Sequence, residues 1–383
     1  MNKKIVYWSP HINHVATVNA VLNSVKSLLR YSKDKFTPEI INVFGEWDNS
    51  IAKDDTVDFY NFKGLTFINK ISSSGIIFSR IKYIFIFFFS LPQLLIYLKK
   101  KRPDFLIIHL MTSVPIFLNL FFNFKTKIIL RISGMPKINI FRYIFWKISL
   151  RFIYKITFPT KETLENFKKL KIVSDEKLFF LSDPIIDTKI NSKNIKKVDK
   201  IIINEVEFKD YYICIGRLTK QKNFQLIINS FKEIIPYKKN LKVLILGEGE
   251  EYNYLKELIK KYKLEKNIFL IGFKKNIYKY LKNSKCFILS SIWEDPGWVL
   301  IESIYSNTFV ISSDCQSGPK EILSNGGGYL FKSNSTNDLI KKILMFEKTS
   351  NKEIIKMKIT AKKNIIKYSL FRHFILLKKN ILV

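Results

Sequence analysis

Residues 211–223 read YYICIGRLTKQKN, and this stretch decides the fold of the second half of the chain. A short apolar run at 211–216 leads into a basic loop, and an amphipathic segment follows at 223–235. A strand, a glycine-containing turn and a helix in that order are typical of a doubly wound α/β sheet. We predict a strand at 211–216 and a helix at 223–235, with Asn223 as its N-cap.

The same alternation continues on both sides of this stretch. Apolar runs separated by amphipathic segments predict parallel strands joined by crossover helices. The pattern predicts an α/β fold with two Rossmann-like doubly wound domains facing a cleft, where a ligand binds at the carboxyl ends of the strands. The further predicted strands are 4–8, 104–109, 127–131, 241–246, 268–272, 286–290 and 309–313, and the further helices are 250–262 and 298–305.

Composition places the domain boundaries. Residues 183–210 carry proline, asparagine and many charges, and they interrupt the alternation as a connection between domains would. We expect an N-terminal domain at 1–190, a linker at 191–210 and a C-terminal domain at 211–360. A basic C-terminal helix within 361–383 is expected to pack back onto the N-terminal domain.

Length and composition exclude several classes of protein. The chain has 383 residues, of which 47% are hydrophobic, so it is neither disordered nor fibrous. Its three cysteines, Cys214, Cys286 and Cys315, have no C-x-x-C spacing, which excludes a disulfide framework and a cysteine-rich zinc site. We expect the protein in a reducing cytoplasm.

The net charge of +33 points to a polyanionic partner, either nucleic acid or an anionic membrane. Residues 59–161 contain 17 Lys and Arg and a single acid, Asp104. The same region holds long apolar runs at 76–98, 114–124 and 139–154. Aromatic residues lie in these unbroken runs rather than alternating with arginine as stacking platforms, which favours an anionic membrane surface over nucleic acid.

The apolar run at 83–98 is 16 residues long and contains Pro92, whereas a spanning helix needs about 20 apolar residues. We therefore expect residues 76–102 to insert into the membrane interface without crossing it, on the cytoplasmic face. The alternative, left open here, is that these runs are buried helices of the α/β domain.

Two loops at predicted strand ends carry the candidate chemistry. Gly216, Arg217 and Lys222 precede a helix N-terminus, and together they suit a diphosphate, although an ordinary basic loop would look the same. Glu294 and Glu302 follow the strand predicted at 286–290, and two carboxylates there suit sugar or ribose hydroxyls. Acids that only complement the helix dipole would explain Glu294 but not Glu302.

Three motifs together resemble the signature of retaining glycosyltransferases of the GT-B fold, specifically family four within group 1. They are GRLTKQKN at 216–223, Glu294 and Glu302 in an E-x7-E pattern, and SDCQSGPKEI at 313–322. The resemblance implies that Arg217 and Lys222 stabilise the departing diphosphate, that Glu302 binds the nucleotide ribose and that Glu294 holds hydroxyls of the transferred sugar. It also implies that the amides of Gly297 and Trp298 lie near the phosphates and that Ser317 and Gly318 border the donor.

In the N-terminal domain the resemblance is only architectural. Similar enzymes carry a histidine after a strand that contacts the sugar or the acceptor, and His109 occupies that place. The Gly-Gly loop that the family has after its first strand is missing, and residues 9–17 read SPHINHVAT.

The expected activity is transfer of a hexose-type sugar from a nucleotide-diphosphate sugar to a lipid-linked or other membrane-associated glycan, in surface polysaccharide assembly such as capsule, O-antigen or lipopolysaccharide. No cofactor or metal is expected, because the sequence has no D-x-D or H-E-x-x-H motif and His11 and His14 make a poor pair of ligands. The alternatives are a sugar-nucleotide epimerase or phosphorylase of the same fold, and a nucleic-acid-binding protein.

Overall fold

The structure is a computed structural model that describes residues 2–12, 16–51, 56–71, 76–136, 138–189, 201–203 and 206–382. The chain divides into two compact units. The first unit contains Met1–Ile185 and Leu370–Val383, and the second contains Ile186–Ser369. Each unit is built around its own parallel sheet, so the α/β fold with two Rossmann-like domains is confirmed.

The first unit has a sheet of seven parallel strands, which are β1 Lys3–Trp8, β2 Phe36–Asn42, β3 Asp58–Asn61, β4 Phe105–Ile108, β5 Lys127–Arg131, β6 Lys155–Phe158 and β7 Leu178–Phe180. Their order in the sheet is β3-β2-β1-β4-β5-β6-β7. Trp8, at the end of β1, is paired with Ile41 on one side and Ile108 on the other.

Alternate strand residues of this sheet pack against different layers, as the period of two along a strand requires. Val6, Leu106 and Ile128 belong to a core shared with helices Ile76–Lys101, Ser113–Phe121 and Lys161–Lys168. Ile5, Ile107 and Ile129 pack instead with the helix Ala16–Tyr31 and with the C-terminal segment. The remaining helices of this unit are Asp48–Ile51, Ile140–Ser149 and Leu370–Leu376, with 3-10 turns at Thr66–Lys70, Leu150–Phe152 and Asp175–Lys177 and a π turn at Leu377–Ile381.

The second unit contains the antiparallel hairpin of β8 Ile201–Ile203 and β9 Val206–Phe208. Its six parallel strands are β10 Tyr211–Ile215, β11 Val243–Leu246, β12 Ile268–Gly272, β13 Ser284–Leu289, β14 Phe309–Ser313 and β15 Tyr329–Phe331, in the order β12-β11-β10-β13-β14-β15. Both faces of the central strands are buried, which explains their continuous apolar sequences. The helices that follow β10 are Phe224–Ile234, Tyr252–Lys261, Tyr278–Asn283, Trp298–Tyr305, Pro319–Ile322, Thr336–Lys348 and Asn351–Ile365, and a 3-10 turn lies at Ile366–Tyr368.

The division of the chain differs in detail from the boundaries expected at 190 and 360. The second unit begins at Ile186, because Ile186 forms a parallel bridge with Ser369 and its amide donates to the carbonyl of Tyr368 at 3.0 Å. Part of the expected linker, 201–203 and 206–208, is the β8–β9 hairpin, while residues 190–200 and 204–205 lie outside the described part of the chain. The helix Asn351–Ile365 belongs to the second unit, and only 370–383 return to the first.

The apolar helix of the first unit is longer than the run of 16 residues suggested. It extends from Ile76 to Lys101 and passes through Pro92, which removes one backbone donor without ending the helix. By length and composition Phe78–Lys101 could cross a membrane, a property that core helices of soluble proteins share, and a third of its most apolar window is buried. Its large side chains Phe78, Ile84, Phe88 and Ile96 are more than half exposed.

Candidate active site

The candidate site is built from loops that follow β10, β13 and β14, which are neighbours in the second sheet. The first junction joins the loop after β10 to the loop after β13. The amide of Ile292 donates to the carbonyl of Gln221 at 2.9 Å, and the Gln221 side chain donates to the carbonyl of Trp293 at 2.9 Å. Ser290 Oγ donates to the carbonyl of Lys222 at 2.7 Å. The two loops therefore hold each other in place.

The second junction joins the loop after β13 to the loop after β14. The amide of Glu294 donates to the carbonyl of Gln316 at 3.1 Å, and Ser313 Oγ donates to the carbonyl of Ser291 at 2.7 Å. Gly318, at φ +116°, lies so close to Pro296 that an added Cβ would be 2.0 Å from the Pro296 carbonyl oxygen. Only glycine fits at this position.

The loop that follows β11 packs against the turn at residues 216–218 and supports it. The amide of Leu218 donates to the carbonyl of Glu248 at 2.8 Å. A Cβ on Gly247 would lie 1.8 Å from the carbonyl oxygen of Gly216, and one on Gly249 would lie 2.4 Å from that of Leu218. The sequence signal for this support was the Gly-x-Gly pair after β11, which indicates a tight turn but not the neighbour on which the turn packs.

Lys222 and Glu294 form an ion pair, with 15% and 7% of their side chains exposed. The Lys222 ammonium and the hydroxyl of Ser291 both donate to Oε1 of Glu294. No donor to Oε2 of Glu294 lies within hydrogen-bond reach in the described part of the chain. Gly216 leaves room for this arrangement, because its missing Cβ would lie 3.3 Å from Cδ and Cε of Lys222.

Arg217 differs from Lys222 in having no acidic partner among the residues that the structure describes. It is exposed in the loop after β10, and its carbonyl accepts from the amide of Thr219 at 2.9 Å. A guanidinium left unpaired at the carboxyl end of a central parallel strand is suited to a phosphate, because it can donate two parallel hydrogen bonds.

Glu302 lies in the second turn of the helix Trp298–Tyr305, where it accepts a hydrogen bond from Tyr278 Oη at 3.2 Å. Burial raises the pKa of Glu302 to about 7, and the bond from Tyr278 opposes that rise. A ligand that donates hydroxyl groups would stabilise the ionised carboxylate. The role of Tyr278 had no signal in the sequence, because Tyr278 belongs to a different helix.

The remaining predicted donor residues lie at two short turns of the same loops. Gly297, at φ +101°, is the N-cap of the helix that begins at Trp298. Ser317, at φ +63°, and Gly318 precede the helix Pro319–Ile322. Asn223 occupies the N-cap position of the helix Phe224–Ile234, as predicted, but it has a left-handed backbone (φ +51°) and its side chain makes no bond to the helix amides; Nδ2 donates instead to Oδ1 of Asn334 at 2.9 Å.

His109 lies in the first unit, directly after β4, and its amide donates to the carbonyl of Trp8 at 3.0 Å. Its Nδ1 is buried and has no hydrogen-bond partner among the described residues. Burial lowers the pKa of His109 well below its usual value, and the positive charge of Arg131 lowers it further, so the ring is neutral at pH 7. A neutral imidazole with an unsatisfied nitrogen is suited to a hydrogen bond with a polar ligand.

The segment 9–17 is described only in part, since residues 13–15, which include His14, lie outside the described ranges. His11 is buried, with Nδ1 3.2 Å from the carbonyl oxygen of Ser9 and its ring edge-on to Trp47. Within the described ranges, no group of three or more His, Cys, Asp or Glu residues could hold a metal ion.

The loops of the candidate site lie within the part of the chain that is similar to known glycosyltransferases. Residues 196–364 match the family model of glycosyl transferases group 1. An uncharacterized glycosyltransferase of Methanocaldococcus jannaschii, MJ1059, is 43% identical over 141 residues, which are 34% of this chain and 35% of that protein. The N-acetylgalactosamine-N,N'-diacetylbacillosaminyl-diphospho-undecaprenol 4-alpha-N-acetylgalactosaminyltransferase of Campylobacter jejuni is 27% identical over 205 residues, 53% of this chain and 55% of that one. The chain thus spans about a third to a half of the length of these relatives.

A solved structure matches the fold over almost the whole chain. The glycosyltransferase of Rickettsia africae has a TM-score of 0.76, with 16% identity, and the match covers 97% of this chain and 96% of that one. Residues 196–364 are thus similar to the glycosyl transferases of group 1, and the fold of the chain is of the GT-B type.

Proposed function

We propose that this protein is a retaining glycosyltransferase that transfers a hexose-type sugar from a nucleotide-diphosphate sugar to a lipid-linked or other membrane-associated glycan. The observation that carries the proposal is the charge arrangement after β10 and β13. Arg217 is an exposed cation, Glu294 is held with Oε2 available, and Glu302 lies on the helix that follows the same loop. These groups suit the diphosphate, the sugar hydroxyls and the ribose, respectively.

In the proposed reaction the bond between the anomeric carbon and the diphosphate oxygen breaks, and the acceptor oxygen bonds to the same face of that carbon. The acceptor proton passes to the departing phosphate. Arg217, together with the amides at Gly297 and Trp298, stabilises the negative charge that develops on the diphosphate. Glu294 positions the sugar through its hydroxyls, and its contacts with Lys222 and Ser291 keep it from acting as a mobile nucleophile.

We propose that the reaction needs no divalent metal, because Arg217 and the helix N-termini supply positive charge and the sequence lacks a D-x-D pair. An alpha linkage appears in the name of the Campylobacter jejuni relative, which supports retention for an alpha-configured donor. The same name contains an undecaprenol diphosphate, which supports a lipid-linked acceptor and a place in surface polysaccharide assembly.

The proposed membrane association rests on an exposed apolar surface of the first unit, which we call the apolar surface. It spans three helices and the turn at 150–152, and Phe87 and Phe117 join two of those helices with ring centroids 5.7 Å apart. The same helices and turn carry Lys99–Lys101, Arg142, Lys147 and Arg151, so the apolar surface suits an anionic bilayer on the cytoplasmic face. Its most exposed members are Phe78, Ile84, Phe88, Ile96, Phe121, Ile140, Phe141, Ile144 and Phe152.

Thermal shift with a panel of nucleotide sugars identifies the donor, since a ligand that binds the native state raises the melting temperature by mass action. The identified donor is then incubated with lipid-linked acceptors, with and without EDTA, and the anomeric configuration of the product is read by proton NMR. We expect one donor to raise the melting temperature, and we expect EDTA-resistant transfer with retained configuration. Inverted product or EDTA-sensitive transfer would contradict the mechanism, and a chain that binds no nucleotide sugar would contradict the activity.

Flotation with liposomes tests the membrane association. The variant Phe88→Ser/Phe141→Ser removes side chains that are 67% and 81% exposed, and Phe273→Ser, 67% exposed in the second unit, is the matched control. We expect wild type and Phe273→Ser to float with vesicles containing phosphatidylglycerol and the double variant to stay in solution. Flotation of all three to the same extent would exclude the apolar surface as the docking face.

A further inference from the structure

A wide groove opens at the starting ends of β5 and β6 in the first unit, with a cavity volume of about 680 Å³. Its walls are the end of the helix Ser113–Phe121, the turn before β5, and residues 151–154 before β6. His109 follows the finishing end of β4. Because parallel strands start at one edge of a sheet and finish at the other, the groove lies at the edge of the first sheet opposite His109.

The groove is basic and aromatic at the same time. Lys125, Lys127, Arg151 and Lys177 line it, and none of the residues described as lining it is an acid. Asp175 and Glu176, which precede Lys177, are not among the lining residues. Four cations in one concave site favour a ligand with a concentrated negative charge, such as a phosphate. The aromatic lining residues are Phe121, Phe122, Phe124, Phe152 and Tyr154.

Two of the cations are held in position by neighbouring groups. Lys127 Nζ lies 4.5 Å from the centre of the Tyr154 ring, and Lys177 Nζ donates to the carbonyl of Arg151 at 2.5 Å. Burial lowers the pKa of Lys177. The other two, Lys125 before β5 and Arg151 before β6, are exposed and line the same groove. The site thus combines two cations with defined contacts and two that can close on a ligand.

The groove is continuous with the apolar surface. Phe121 and Phe152 are members of both, and Asn119 Nδ2 joins their walls by donating to the carbonyl of Phe152 at 3.0 Å. A ligand that fills the groove with its anionic part and reaches the apolar surface with its apolar part must carry both in one molecule. A phospholipid has this construction, whereas a free phosphate and a nucleic acid lack the acyl chains.

We infer that this groove binds the phosphate headgroup of an anionic phospholipid whose acyl chains lie against the apolar surface. The inference builds on the proposed membrane association and is independent of the sugar transfer. The bound lipid would fix the depth and rotation of the first unit at the bilayer, because a specific headgroup contact adds direction to a nondirectional apolar contact.

The test uses short-chain phosphatidylglycerol below its micelle concentration, so that no bilayer surface is present, and measures binding to the full-length protein by calorimetry. The groove variant is Lys125→Gln/Arg151→Gln. The matched control, Lys352→Gln/Lys356→Gln, removes the same charge from exposed positions of a helix in the second unit. We expect the groove variant to lose roughly ten- to thirtyfold in affinity and the control to change less than about twofold.

Parallel titrations with short-chain phosphatidylcholine, inorganic phosphate and a single-stranded RNA separate the sources of negative charge. Equal affinity for phosphatidylcholine, for phosphate alone or for RNA would overturn the assignment, as would equal loss in both variants. Donor binding by the groove variant is measured by thermal shift and should match that of wild type. This measurement tests the proposed transferase function independently of lipid binding. Flotation of Phe88→Ser/Phe141→Ser reports on membrane association separately.

Discussion

The ammonium of Lys222 donates to Oε1 of Glu294, so the cation predicted to face the diphosphate and the acid predicted to face the sugar are ion-paired with each other. The pair is largely excluded from solvent, and the hydroxyl of Ser291, in the same loop as Glu294, donates to the same carboxylate oxygen. Its net charge is zero. Arg217 and Lys220, which are exposed, therefore carry the uncompensated positive charge in the loop after β10, and Lys222 is paired with Glu294.

The first prediction concerns this pair. Lys222→Met or Glu294→Gln alone should lower the free energy of unfolding by about 3–5 kcal/mol, because each leaves a buried partner unpaired. The double variant should be more stable than either single variant. Urea denaturation measures all three.

The control is the exposed pair Lys168–Glu165, at 3.0 Å with 31% and 60% of the side chains exposed. Lys168→Met should cost less than about 1 kcal/mol. If the changes at Lys222 and Glu294 simply add in the double variant, the two residues do not act as a pair.

The second prediction separates Arg217 from its basic neighbours. Arg217→Ala should weaken donor binding about ten- to a hundredfold, because it removes charge-assisted hydrogen bonds to phosphate, and should leave stability unchanged. Lys220→Ala, an exposed cation in the same loop, is the control and should bind the donor as wild type does. Calorimetric titration with the identified donor measures the affinity of both variants. Equal losses in the two variants would show that the total positive charge of the loop, and not a specific contact of Arg217, determines donor binding.

The third prediction follows from Glu302. Its pKa is about 7 in the folded chain and its ordinary value is 4.5, so between these values the unfolded state holds fewer protons than the folded state. The contribution of this carboxyl to the free energy of unfolding is therefore fully present below pH 4.5. It is lost, by about 3 kcal/mol, as the pH rises through 7. Glu302→Gln should remove that decline, which appears as a pH-dependent difference between variant and wild type in urea denaturation.

The same carboxyl predicts a proton effect on donor binding. Ribose hydroxyls donate best to the ionised form, so binding near pH 6 should release a proton from Glu302, and calorimetry in buffers of different ionisation enthalpy measures it. Glu302→Ala should also abolish the thermal shift caused by the donor. A normal shift with that variant would remove Glu302 from the ribose role.

The fourth prediction compares two glycines with left-handed backbones. Gly318→Ala should destabilise the second unit by more than about 2 kcal/mol and abolish donor binding, since its Cβ would lie 2.0 Å from the Pro296 carbonyl oxygen. Gly326, at φ +79° with nothing within 4 Å of its added Cβ, is the matched control. Gly326→Ala should cost only the backbone strain of about 1 kcal/mol. Comparable losses would show that strain, and not the contact with Pro296, explains Gly318.

The fifth prediction concerns a buried hydrogen-bond chain in the first unit. The carbonyl of Ser182 lies 2.7 Å from Nδ1 of His373 and can only accept, so Nδ1 carries the proton. Nε2 then accepts from Ser24 Oγ at 2.8 Å, and Ser24 accepts from Tyr7 Oη at 2.8 Å. A protonated His373 would have to donate Nε2–H to Ser24 Oγ, which would reorient the Ser24 and Tyr7 hydroxyls, so the arrangement described here belongs to the neutral ring.

Burial lowers the pKa of His373 to about 4. Between pH 6.5 and 4 the ring is therefore protonated in the unfolded state and neutral in the folded state. The His373 contribution should therefore fall by about 3 kcal/mol as the pH drops from 6.5 to 4. His373→Gln should remove this fall relative to wild type. NMR titration of the His373 ring tests the cause directly, and a pKa near 6 would contradict it.

Local sequence pattern predicts the course of several strands and of one helix at the candidate site. The apolar runs at 127–131, 268–272 and 309–313 have the same ends in the structure, as has the helix Trp298–Tyr305. These predictions succeed because a parallel strand that is buried on both faces requires an uninterrupted apolar run. The polar residue that follows the run marks the end of the strand.

The pairing of the site residues, and the groups that support them, follow from contacts between distant parts of the chain. Lys222 and Glu294 are 72 residues apart, and neither local propensity nor motif spacing specifies that their charges neutralise each other. The close approaches of Gly247 to Gly216 and of Gly318 to Pro296 join different loops, as does the bond from Tyr278 to Glu302. Such contacts depend on the order of strands in the sheet, which brings distant loops to one edge, and the sequence of any single loop does not encode that order.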